Sequence, residues 1–117
     1  MAGRSAGDYS RVGLAFAKAL AARDYDAAYA LTSKDYRNST SVKAPQAAFE
    51  RIVPVDWGRV GPIEVGETME DWPGREPSDV GWAYVSVGGD VYSAAVTVVV
   101  TLEENVLRVR TVEFGRP

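Results

Sequence analysis

Alternation along the last strand-like segment places one carboxylate, Glu113, on a face shared with Leu107 and Val109. A carboxylate withdrawn from water holds its proton more tightly and becomes a usable general base. The predicted helices carry tyrosines, Tyr9, Tyr25 and Tyr29, whose hydroxyls could donate to a reacting group. The chain contains no histidine and no cysteine. A Ser-His-Asp triad, an imidazole or thiolate metal site and a cysteine nucleophile are thereby excluded. Any proton transfer falls to Asp, Glu, Tyr, Lys or water.

Arg23, Asp24 and Asp26 form a second charged cluster, but at a predicted helix start. There, acidic residues cap exposed amides and complement the helix dipole, so the structural role is preferred. The aromatics Trp57, Trp72, Trp82, Tyr84 and Tyr92 suit a ligand pocket, but core or interface is the preferred role for any one of them. Trp72 stands apart because it lies in a loop, where binding residues concentrate. Arg108 and Arg110 alternate on the last strand, which suits a carboxylate or phosphate site, but a solvated sheet face or a dimer contact is the preferred role. Neither Gly88-Gly89 nor the glycines from Gly58 to Gly66 are followed by the lysine and helix of a phosphate loop.

The elements that must position these residues divide into two halves. Tyr9, Val12, Phe16 and Leu20 recur at helical spacing after a cap at Asp8 or Ser10. Asp24 caps a short second helix that buries Tyr25, Ala28, Tyr29 and Leu31. Ser41 as cap, or Pro45 as first residue, opens a third helix with Ala48, Phe49, Ile52 and Val53 inward, and Pro54 stops it. The period then changes to two. Strands are predicted over Ile63–Thr68, Val80–Val87, Val91–Glu103 and Val106–Phe114, with a breaker-rich loop over Asp71–Asp79 and a hairpin at Gly88–Asp90. Trp82 and Tyr84 share one face; Ala94, Val96, Val98 and Val100 fill another. A single bulge in the last strand would exchange its two faces.

Helices before strands imply an α+β fold: three N-terminal helices packed on a curved antiparallel sheet of four or more strands. One domain over residues 1–117 is expected, with 1–7 a mobile terminus. At this length roughly two-thirds of the unfolded surface is buried, so the core needs neither metal nor disulfide. Thirteen Lys and Arg are scattered under a net charge of −3, which argues against nucleic acid or an anionic membrane as partner. The apolar-rich stretch Val96–Val100, like every other in the chain, is far short of the roughly 20 residues of a spanning helix. The opening residues lack an apolar signal core, so a cytoplasmic location is the default.

The stretch Phe16–Leu31, in which an apolar helix meets an Asp24-Tyr25 turn and a second helix, resembles the opening of the nuclear transport factor 2-like superfamily. Ser41–Ile52 is similar to its next helix, with Phe49 as the buried aromatic, and Val106–Phe114 to its closing strand. This cone-shaped α+β fold is shared by ketosteroid isomerase, scytalone dehydratase, limonene epoxide hydrolase and SnoaL-like cyclases. The resemblance implies a pocket in the cone, lined by Phe16, Tyr29, Phe49, Trp57, Trp82, Tyr84 and Glu113, and a homodimer formed through the sheet. The first half is also similar to the accessory domain ahead of some penicillin-binding transpeptidases.

Isomerase-like chemistry would use Glu113 with a helix tyrosine. The dehydratase's histidine has no counterpart, and the epoxide hydrolase's Asp-Arg-Asp arrangement is matched only by the capping cluster at Arg23–Asp26. The expected function is binding of a small, largely apolar ligand without catalysis, with no cofactor and no metal. The alternatives are an isomerase, hydrolase or dehydratase, and an interaction or immunity-type module.

Overall fold

The structure, a computed structural model, describes residues 6–55, 60–89 and 93–115. Among them, four helices precede four strands: α1 (Ala6–Ala21), α2 (Tyr25–Ala30), α3 (Lys34–Ser39), α4 (Lys43–Ile52), β1 (Val60–Met69), β2 (Asp79–Gly89), β3 (Ser93–Glu103) and β4 (Val106–Gly115). The strands form one antiparallel sheet in the order β1-β2-β3-β4, and the N-terminal helices pack on its curved face. The α+β expectation holds. Residues 1–5 of the expected mobile terminus lie outside the described residues, as do Trp57, Asp90 and Tyr92; α1 already begins at Ala6.

α1 buries Tyr9, Phe16, Ala17 and Leu20 against the sheet, at positions that share one helical face. Full burial of Phe16 or Leu20 contributes about 1.5–3 kcal/mol each. The helix lies close to the strands. A Cβ on Gly13 would stand 3.0 Å from Val98 Cγ2, and one on Gly81 would fall 2.3 Å from the Tyr9 ring. The sheet face beneath the helix is therefore built from small and β-branched residues: Ala83, Val85 and Val87 of β2, and Ala94, Val96, Val98 and Val100 of β3. Trp82 and Tyr84, alternating with these, point to the opposite face.

α1 ends in a Schellman arrangement, with Arg23 N–H donating to the Leu20 carbonyl and Asp24 N–H to the Ala19 carbonyl. Arg23 takes the left-handed conformation (φ 63°) usually left to glycine. Asp24 then caps α2 as expected, its Oδ1 accepting from Ala27 N–H at 3.2 Å. The helix count differs from the expected three. α3 has no buried residue, so it leaves no apolar period in the sequence; it is held by its cap, Ser33, whose Oγ accepts from Tyr36 N–H. α4 starts at Lys43, with Pro45 buried inside its first turn.

The last strand corrects the predicted faces. Val100 pairs with Val109 and Val99 with Thr111, which leaves Arg110 as an extra, bulged residue. Past the bulge Val112 and Phe114 join Val109 on the core face, while Thr111 and Glu113 turn outward. The edge of β4 is covered near the bulge by the α2–α3 joint. Ser33 N–H donates to the Val109 carbonyl and Val109 N–H to the Leu31 carbonyl, both at 2.8 Å.

Candidate functional site

Two rows of side chains cross the outer sheet face. Met69, Trp82, Val99 and Thr111 are register partners across all four strands, and Glu67, Tyr84, Thr97 and Glu113 form the adjacent row. The β1–β2 loop folds back beside the first row and brings Trp72 and Pro73 against it. A cleft of about 440 Å3 results, with Met69, Trp72, Trp82 and Val99 as apolar walls and Arg110, Thr111 and Glu113 as polar ones. Trp72 and Trp82 are half-buried, and Glu113 is exposed. Apolar walls with a few polar groups are the usual make-up of a small-molecule site.

The loop is tied down at its far end. Asp79 has no exposed side-chain surface. Arg110 grips it bidentately, with Nε 2.7 Å from Oδ1 and Nη2 2.6 Å from Oδ2. Glu76 N–H donates to the same Oδ2 at 2.8 Å, and Arg110 Nη1 reaches Glu76 Oε2 at 3.3 Å. Thr101 Oγ1 and Leu102 N–H both donate to the Ser78 carbonyl, and Arg75 Nη2 donates to the Asp79 carbonyl. Burial pushes the Asp79 carboxyl up, but the Arg110 and Glu76 contacts outweigh it and hold it below the ordinary value of 3.8. Arg110 is raised in return by the hydrogen bond to Asp79. The bulge that turned Glu113 outward thus also supplies the arginine that anchors the loop.

The residues singled out in the sequence separate into two groups. Trp82, Tyr84 and Glu113 meet on the outer face, together with Trp72. Phe16 and Phe49 are fully buried in the helix–sheet core on the other side, so the residues expected to line one pocket in the cone do not share one. Tyr29 is half-buried between α2 and α3, its hydroxyl 2.9 Å from the Arg37 carbonyl and 2.6 Å from that of Thr40. Trp57 lies outside the described residues. Glu113 and Tyr9 are on opposite faces of the sheet, so that pair does not converge. Tyr25 donates instead to Glu50 Oε2 at 2.7 Å and is raised above its ordinary value, chiefly by burial. Arg23 donates to the Tyr25 hydroxyl and the Val53 carbonyl and lies over the Phe49 ring at 5.2 Å, which joins the α1–α2 turn to α4.

Sequence reasoning missed Met69, Val99 and the Asp79–Arg110 pair as parts of the cleft. Met69 and Val99 carry no chemical signature, and their proximity depends on strand register. Asp79 was visible only as the end of a breaker-rich loop. Among the described residues no three carboxylates gather as a metal site, and no helix is long and apolar enough to cross a membrane. Comparison with protein-family models, with curated proteins and with solved structures found no match to this chain.

Proposed function

We propose that this protein is a binding domain that holds a small, largely apolar molecule in the outer-face cleft without transforming it. The observation that carries the reading is the meeting of Trp72, Trp82, Met69 and Val99 around about 440 Å3, with Trp72 on a loop whose far end is ion-paired to the sheet. A pre-formed wall binds more tightly than one that must be ordered first. The helix-first, strand-after layout supports the nuclear transport factor 2-like superfamily as the proposed family. Catalysis by Glu113 with a helix tyrosine is less favoured, because Glu113 is exposed on the face away from Tyr9.

Native mass spectrometry of the purified protein, with solvent extraction, should reveal a co-purifying small molecule that Trp72→Ala loses. In a thermal-shift panel of metabolites, Trp72→Ala should weaken any hit about tenfold, the effect of roughly 1.4 kcal/mol. No extracted molecule and no stabilised melting across the panel would overturn the reading. A second copy of the chain docked through the sheet is the second reading; Trp82 and Tyr84 are aromatic anchors of the kind such contacts use.

A further inference from the structure

The cleft also carries information about the charge of its ligand. Arg110 lines it, yet all three guanidinium nitrogens are engaged: Nε and Nη2 by Asp79, Nη1 by Glu76. Three of its five N–H groups are used in this way, and its single positive charge faces two carboxylates, so it offers no net positive charge to an anionic guest. Glu113 on the cleft wall and Glu67 in the same cross-strand row are exposed and, among the described residues, form no ion pair. The rings of Trp72 and Trp82 line the same cleft as Glu113, and Tyr84 is the cross-strand partner of Glu67. Electron-rich ring faces next to uncompensated carboxylates are the chemistry that recognises an organic cation. An anion would be repelled by the same carboxylates, and a neutral guest would leave them unused.

We propose that the ligand is a small organic cation with an aromatic or alkyl body, its body against Trp72 and Trp82 and its ammonium centre toward Glu113. This rests on the binding reading above and adds the charge of the guest. It is tested with three probes that differ in charge: phenyltrimethylammonium, its neutral isostere tert-butylbenzene, and benzenesulfonate. Indole N–H signals in proton–nitrogen NMR spectra, assigned with Trp72→Phe and Trp82→Phe, report binding at the cleft. Phenyltrimethylammonium should shift both signals and bind about fivefold or more tightly than the isostere. Glu113→Gln, whose own spectrum reports that it is folded, should weaken the cation about two- to fivefold and leave the isostere unchanged. Equal or tighter binding of tert-butylbenzene or benzenesulfonate, or indifference of the cation to Glu113→Gln, overturns the cation proposal and leaves the apolar cleft standing. Silence of both indole signals toward all three probes overturns the cleft reading as well.

Discussion

At Asp79 a carboxylate is fully removed from water and still ionised, because Arg110 holds both oxygens and the Glu76 amide adds a further bond. Its lowered pKa means that the folded state binds this proton less well than the unfolded chain does. Ionised Asp79 therefore stabilises the fold above its ordinary pKa, and that contribution is lost as pH falls through the lowered folded value. Urea midpoints followed into acid should decline below about pH 4, and Asp79→Asn should flatten that decline. An identical acid limb in the variant would mean that other carboxylates cause it. Removing the partner is a harsher change, since it leaves a buried charge uncompensated. Arg110→Met should cost about 3 kcal/mol in urea unfolding, at the low end for a broken buried pair because 24% of the Arg110 side chain remains in water. A loss under about 1 kcal/mol would place this pair with exposed ones.

For the elements, the governing fact is how closely α1 approaches the sheet. Gly81→Ala drives a methyl group into the ring of Tyr9, which is 1% exposed and cannot swing aside. A destabilisation of about 1–3 kcal/mol is expected from such overpacking. Gly13→Ala meets Val98 only at 3.0 Å, and it gains about 1 kcal/mol of helix propensity, so its thermal midpoint should stay near that of the parent. If both variants melt alike, helix–sheet spacing is not what these glycines preserve. The same closeness explains what could and could not be read in the sequence. The period of α1, the Asp24 cap and the alternation of Ala94, Val96, Val98 and Val100 were all legible, because each is written in local spacing. α3 was not, since it buries nothing. The β4 bulge was not either: one extra residue leaves no mark in composition, yet it turned Glu113 outward. The large aromatics Trp82 and Tyr84 suggest core by size, but the near helix reserves the covered face for small side chains.

Over the whole molecule, the helices cover one sheet face, and the candidate site lies on the other. Trp72, Trp82 and Glu113 were recognisable as candidates by residue type; Phe16 and Phe49 were too, and they lie on the far side of the strands. Which face is covered depends on long-range packing that no local pattern records. Among the described residues no helix packs on the outer face, and under the proposed dimer reading a second copy would dock there. Such a contact is isologous and buries the same patch of both protomers, so it would gather Glu64, Glu67 and Glu113 of each protomer into one interface. All three are exposed, and bringing them together is repulsive unless salt screens it. Between about 0.01 M and 1 M salt the screening length falls from about 30 Å to about 3 Å. Sedimentation velocity should therefore show a dimer fraction that grows with sodium chloride, the reverse of an interface held by salt bridges. Trp82→Glu, which adds a charge at the centre of the face, should keep the protein monomeric at every salt concentration. A dimer that weakens with salt, or that ignores Trp82→Glu, would have its contact on another surface.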